Sequence, residues 1–342
     1  MKKAFIFIAV GVLVVGGFVF YFRSSDNKTG IKGEAKLVPV KVALDWTSNT
    51  NHTGMFVAKE KGWYKEEGLD VTILPYSENA TPEILLQSGK ADVGVGNTEG
   101  ILAAAANKKP LVSIAAILAH NTSGFLTLGD SGIKSPKDFD GKLYGGWGTP
   151  AETAIVGAII KNSGGAGKFE NVTLGADAIQ AMESKKIDFY WVFEGWEVID
   201  ARLKGHNVVY FPSLKYGIPD YYTPNLITTP KIIEEKQDVL RKFIAETKRG
   251  YEFAAANPRT AAQLLIDGNL KGTFPDKELV FKSQEFLSKK YMDQGKPWGF
   301  QEKNMWEEYP KLLLNAKAVV DANGKPVKSI KFESLYTNEF VK

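Results

Sequence analysis

The chain of 342 residues contains no cysteine. That absence excludes disulfides, thiolate metal sites and thiol nucleophiles together, and it fits an extracytoplasmic protein that has no use for redox chemistry. Histidine is nearly as scarce. Only His52, His120 and His206 occur, and no two of them have the spacing of a metal-ligand pair. There is no Gly-x-Ser-x-Gly elbow, no Gly-Lys-Ser/Thr phosphate loop and no His-Glu-x-x-His. Gly94-x-Gly96 followed by Gly100 misses the dinucleotide spacing by one residue and reads as a tight strand-to-helix turn. Charge of one sign is also missing. Residues 1–30 hold Lys2, Lys3, Arg23 and Lys28 against Asp26, leaving 39 basic and 38 acidic residues elsewhere, a balance that offers no electrostatic footprint for nucleic acid. Low-complexity segments and internal repeats are absent.

A single long apolar run is present. Lys2-Lys3 precede nineteen uncharged, mostly apolar residues, Ala4 to Phe22, and Arg23 ends them. The length approaches what a bilayer requires, and the leading charges favour a cytoplasmic amino terminus. Residues 1–23 are therefore expected to be a transmembrane anchor or a cleaved signal, and 24–37 a flexible linker. Phe18 follows Val15-Gly16-Gly17 where a lipidated cysteine would stand, so lipid attachment is excluded.

Beyond the linker, short apolar strand patterns alternate with helical ones: Val38–Leu44, Leu69–Pro75, Ala91–Val95 and Leu111–Leu118 are strands, with helices at Thr53–Lys61 and Thr98–Asn107. Thr81-Pro82, Ser135-Pro136, Thr149-Pro150, Thr229-Pro230 and Asn257-Pro258 mark helix starts, a capping residue ahead of proline at the first helical position. Lys142–Tyr144, Val172–Leu174, Phe189–Phe193 and Val208–Phe211 make a second, smaller sheet, and from Lys231 onward the pattern is helical. Such alternation indicates βαβ units and mainly parallel sheets. The fold class is α/β.

Chemistry-bearing residues cluster at strand C-termini, where open α/β sheets present ligand-binding groups. These clusters are Asp45-Trp46-Thr47-Ser48-Asn49, Gly96-Asn97-Thr98-Glu99, Gly146-Trp147-Gly148-Thr149, Phe193-Glu194-Gly195-Trp196 and Tyr221-Tyr222-Thr223. Trp147 sits among glycines that cannot cover it and is a stacking candidate. Trp46 either stacks on a ligand or fills core. Asn49 and Asn97 can both donate and accept. His52 either bonds ligand or braces its loop. Glu152, three residues after Thr149, has the capping-box position as well as a place near the cleft. Glu194 has no capping partner ahead of it. Phe189, Trp191 and Phe193 alternate as sheet packing.

Leu44-Asp45-Trp46, Asn49-x-Asn51-His52-Thr53-Gly54, Lys61-Gly62-Trp63-Tyr64 and Gly146-Trp147-Gly148 closely resemble the solute-binding proteins of ABC importers for pyrimidine precursors of thiamine, over roughly Val38 to Leu314. The resemblance implies a two-lobed periplasmic-binding-protein fold of type II with a ligand cleft between lobes. Lobe one would comprise 38–125 plus 225–342 and lobe two 126–224, with crossings near Ser123–Leu128 and Tyr222–Ile227. It implies a ligand such as N-formyl-4-amino-5-aminomethyl-2-methylpyrimidine, an ABC permease with its ATPase as partners, membrane association through the amino-terminal segment, a monomer and no cofactor. The expected ligand-binding residues are Asp45, Trp46, Asn49, His52, Asn97, Glu99, Trp147, Thr149, Glu152, Glu194, Trp196 and Tyr222, with Glu194, which matches a glutamate of relatives, pairing with the aminopyrimidine edge and Tyr221 in reserve for Tyr222. Trp63-Tyr64 matches an aromatic pair that packs as core.

The same superfamily contains a thiamine-pyrimidine synthase that holds pyridoxal phosphate on a lysine, uses a nearby histidine and carries a cysteine-rich stretch. Gly96 and Gly100 stand at the first two positions, and Pro219-Asp220-Tyr221-Tyr222-Thr223-Pro224 resembles the third without its cysteines, so the chain reads as a binder. Rival readings are a binder of another heteroaromatic such as riboflavin, an alkanesulfonate binder, whose cleft would want cations where these loops carry acids, and a surviving synthase activity.

Overall fold

The computed structural model describes residues 36–174 and 177–341. The anchor read at 1–23 and all of the linker but Lys36 and Leu37 lie outside the described residues. Among the described residues, no helix is long and apolar enough to cross a membrane.

Two five-stranded sheets organise the chain. The first contains β1 (Val38–Ala43), β2 (Leu69–Leu74), β3 (Val93–Gly96), β4 (Val112–Ala116) and β10 (Asn225–Thr228) in the order β2-β1-β3-β10-β4. β1 runs parallel to β2, with Val38 opposite Leu69, and parallel to β3, whereas β10 is antiparallel to both β3 and β4. β3, β4 and β10 are buried along their whole length, as expected of strands covered on both faces.

The second sheet contains β5 (Ser123–Leu128), β6 (Leu143–Gly146), β7 (Glu170–Thr173), β8 (Phe189–Phe193) and β9 (Val208–Pro212) in the order β7-β6-β8-β5-β9. β5 is antiparallel to β8 and β9, and β6 is parallel to β7 and β8.

This topology corrects the expected crossings. Ser123–Leu128 is an interior strand of the second sheet, so a boundary at residue 125 would cut β5. The chain instead passes between sheets over residues 117–122 and returns over 217–224, before β10. Apolar runs such as Gly124-Phe125-Leu126 read the same as extended connection or as strand, and the partners that decide between them lie far downstream.

The strand β3 passes into a helix within two residues of Gly96, as read, but its glycines serve packing. A Cβ at Gly96 would lie 2.6 Å from Ile227 Cδ1, and one at Gly94 would lie 2.9 Å from Pro82 Cβ. They let β10 and the helix Pro82–Gln87 approach.

The helices Thr98–Ala106 and Pro150–Asn162 begin directly after β3 and β6, and each bears its cap: Asn97 Oδ1 accepts from Gly100 N–H and Thr149 Oγ1 from Glu152 N–H. These two helix starts, one per sheet, position the site. Tyr64 is core, stacked on Phe243 with centroids 5.3 Å apart, and Trp63 is half-buried beneath the Arg249 guanidinium.

Candidate functional site

A cavity of about 510 Å³ opens where the two sheets meet, within the range typical of small-molecule sites. The first sheet's side contributes Asn97, Glu99 and Gly100, with Leu313 and Val319 from the carboxy-terminal segment. The second contributes Trp147, Thr149 and Glu152, then Trp191, Phe193 and Glu197, and the return crossing adds Tyr221 and Thr223. Among the described residues that line it there is no lysine, arginine or histidine.

The turn that carries Trp147 is built by Glu152. Its Oε1 accepts the Trp147 N–H at 3.1 Å and the Tyr144 hydroxyl at 2.9 Å, and its Oε2 accepts the Thr149 N–H at 2.9 Å. Glu152 is thus a buried brace at the cavity edge, in a capping box with Thr149. The turn needs its glycines. Gly148 has φ +75°, and a Cβ at Gly146 would meet the Tyr144 ring, so the indole is held up with nothing over it and remains 68% exposed.

Besides Glu152, two carboxyls face the cavity from opposite sheets. Glu99, in the first turn of its helix, accepts from the Tyr309 hydroxyl, and Tyr309 stacks on Tyr221 with centroids 3.6 Å apart. Burial raises the Glu99 carboxyl above the usual range and the Glu152 charge adds to this, against the Tyr309 hydrogen bond. Glu197 Oε2 accepts the Phe193 N–H at 3.0 Å. Burial raises its carboxyl too, with Asp200 adding and that hydrogen bond opposing. Such acids can hold or release a proton as a partner demands. Among the described residues, Trp191 Nε1 is a buried donor with no partner.

Of the twelve residues read from sequence, the cavity brings together Asn97, Glu99, Trp147, Thr149 and Glu152. The other seven are not among its lining residues. Asp45 Oδ1 lies 2.9 Å from His52 Nε2, while the Asn49 N–H donates to His52 Nδ1 at 3.2 Å. His52 therefore donates to Asp45 from a fully buried ring and braces its own loop. Asn49 caps the turn Thr50–His52. Trp46 leans on Tyr76 at 4.9 Å. Tyr222 is core, its phenol oxygen accepting the Glu302 N–H at 2.7 Å, and its neighbour Tyr221 lines the cavity instead.

Glu194 and Trp196 sit on a π-helical turn, Glu194–Val198, whose Gly195 carbonyl accepts from Ser283 of the helix Lys277–Leu287. Trp196 packs against the core. This wide turn is what puts Glu197 among the lining residues in place of Glu194. Trp191 and Phe193, read as sheet packing, alternate as expected, but their face opens on the cavity. Phe189, on the same face, stacks on Phe139.

A family model described as NMT1/THI5 like matches residues 49–261. A formylaminopyrimidine-binding protein of Halalkalibacterium halodurans is 29% identical over 85% of this chain and 88% of its own length. A 4-amino-5-hydroxymethyl-2-methylpyrimidine phosphate synthase of Legionella pneumophila is 23% identical over 76% of this chain and 83% of its own. Among solved structures, the ligand-binding component of an ABC-type import system from Staphylococcus aureus, with zinc bound, has a TM-score of 0.63 at 14% identity, covering 89% of this chain and 98% of that one. That likeness shows the two-sheet solute-binding fold. Among the described residues, no group of three or more histidine, aspartate or glutamate side chains is arranged to hold a metal ion.

Proposed function

Because the chain belongs to the NMT1/THI5-like family, we propose that it is an extracytoplasmic solute-binding protein that captures a thiamine pyrimidine precursor. The ligand is N-formyl-4-amino-5-aminomethyl-2-methylpyrimidine or a close relative, delivered to an ABC permease and its ATPase. The binding domain works outside the plasma membrane as a monomer, tethered by the amino-terminal segment or released if that segment is cleaved.

The observation that carries this reading is the pairing, across one cavity, of aromatic faces with two carboxyls that burial raises above the usual carboxylate range. A 4-aminopyrimidine edge offers an amino donor beside a ring nitrogen. A carboxyl answers both, accepting from the first and sharing a proton with the second, a bidentate, charge-assisted contact. Trp147 supplies a face for stacking, and the rings of Trp191, Phe193 and Tyr221 complete an apolar wall. Asn97 keeps its side-chain amide N–H groups for ligand oxygen while Oδ1 caps its helix. Closure follows by rotation about residues 117–122 and 217–224, a recurrent mode for two-lobed binders.

An alkanesulfonate would meet acids without a cation, which argues against that class. The cavity exceeds a single pyrimidine ring, which favours keeping a larger heteroaromatic such as riboflavin in view. Thermal shift across a panel of 4-aminopyrimidines, riboflavin and alkanesulfonates tests the assignment, because a ligand that binds only the folded chain raises the melting temperature by mass action. A shift with the aminopyrimidine carrying the formylated amine, and none with the sulfonate, is expected. A shift with riboflavin or sulfonate alone overturns it.

A further inference from the structure

The two crossings are joined by the Ile117 N–H, which donates to the Pro224 carbonyl at 3.0 Å, and by a cluster of side chains around one histidine. His120, on residues 117–122, sets Nδ1 against Asp220 Oδ2 of residues 217–224, and Nε2 lies 3.0 Å from Asp293 Oδ1, on the segment after the helix Lys277–Leu287. Asp220 Oδ1 also accepts the N–H groups of Asn121 and Tyr221 at 3.0 and 2.9 Å, so this one carboxylate touches both crossings. The Asp293 segment is tied back in turn: the Ala119 N–H donates to the Lys290 carbonyl at 2.9 Å.

The other charged and titratable groups here are Lys296, 3.4 Å from Asp293 Oδ2 and 2.6 Å from Glu302 Oε1, together with the Tyr222 and Tyr291 phenols. A neutral imidazole has one N–H and cannot donate to two carboxylates; the imidazolium can. The Asp220 hydrogen bond, reinforced by the charges of Asp220 and Asp293, raises the His120 imidazole above the ordinary histidine range, against the opposing pull of burial.

We propose that His120 is a charge-operated clasp across the hinge: as an imidazolium it ties both crossings to the Asp293 segment and favours the arrangement seen here, with Trp147 standing free, and as a neutral ring it lets one carboxylate go and the lobes move. The inference rests on the reading of a protein whose lobes close, but its test needs no ligand. The ring's side chain is half exposed, so solvent screens the pairs and the expected effect is modest, about a two- to fivefold change in the ratio of lobe arrangements.

The lack of native cysteine makes labelling clean. Spin labels at Lys65→Cys, on the helix Trp63–Glu66, and Lys186→Cys, ahead of β8, report lobe separation by double electron–electron resonance from about pH 5.5 to about pH 9, bracketing ordinary histidine titration. The separation distribution is expected to shift as pH rises in the His120 background, and His120→Gln is expected to show the high-pH distribution throughout. A distribution that ignores pH in the His120 background overturns the clasp, as does a His120→Gln protein that responds to pH as the parent does. Should His120→Gln fail to fold, Asp293→Asn removes one partner, and an undiminished pH response there is equally fatal. Failure leaves the ligand assignment untouched, since no ligand enters the measurement.

Discussion

Replacing Glu197 by glutamine separates charge from shape. The amide oxygen of Glu197→Gln still accepts the Phe193 N–H that Glu197 Oε2 now holds at 3.0 Å, so the turn Glu194–Val198 stays formed and only the acid is lost. A hydrogen bond to a charged group contributes about 1.5–3 kcal/mol, so losing the pairing weakens 4-aminopyrimidine binding by roughly ten- to a hundredfold. Isothermal titration of the variant beside Glu194→Gln reads this directly.

Stability should move the opposite way. Burial raises the Glu197 carboxyl in the folded chain above its ordinary 4.5, so the folded state binds this proton more tightly than the unfolded one. Its contribution is fully present below the unfolded value and is lost as pH rises through the folded value. Glutamine suffers no such loss, and Glu197→Gln is expected to melt above the parent at pH 8, with the gap closing toward pH 4. Affinity within twofold of the parent, with Glu194→Gln carrying the loss, would refute the reasoning, and so would a variant that melts lower by a margin growing with pH.

Trp147→Ala removes a ring that stands free of the core, so the melting temperature should hardly change. Affinity should fall by about three- to tenfold, the usual worth of one aromatic contact; a large loss of stability by calorimetry would mean the indole packs rather than binds. Glu152→Ala takes away three accepted hydrogen bonds at a buried position, one of them its half of the capping box with Thr149. It should cost about 2–4 kcal/mol in urea unfolding and weaken ligand binding through the loosened Trp147 turn. A Glu152→Ala protein of parental stability that cannot bind would instead assign Glu152 a direct ligand contact.

Much of the architecture could be read from local pattern. Alternation found β1 and β8, and the proline-marked starts at Thr149-Pro150, Thr229-Pro230 and Asn257-Pro258 all open α-helices, because capping and a preset φ act over a few residues. The misreadings turn on distant partners. β5 pairs with strands about sixty and eighty residues downstream, and no local signal separates it from a connection. Tyr221 and Tyr222 are neighbours with different fates, and the choice is made by the Glu302 N–H that Tyr222 accepts. Asp45 and His52 belong to a polar loop at a strand end, a pattern that serves ligand binding or self-bracing equally well, and here the two side chains satisfy each other. The exchange of Glu194 for Glu197 follows from an i→i+5 turn, and such turns gather at functional sites without a sequence signature of their own.

Whether a cavity holds its guest or transforms it depends on which groups face inward with nothing else to do. Here each inward acid already has a partner: Glu99 takes the Tyr309 hydroxyl, Glu197 the Phe193 N–H, and Glu152 three donors. Glu99 and Glu197 both line the cavity, where a carboxyl suits pairing with the edge of a planar ring. The resemblance to the synthases sets Gly96 where their cofactor lysine would stand, and there a Cβ would already press on Ile227 at 2.6 Å. A longer side chain could enter only by pushing β10 away from β3. The close approach of those two strands therefore leaves no room at Gly96 for a side chain beside the Asn97 cap.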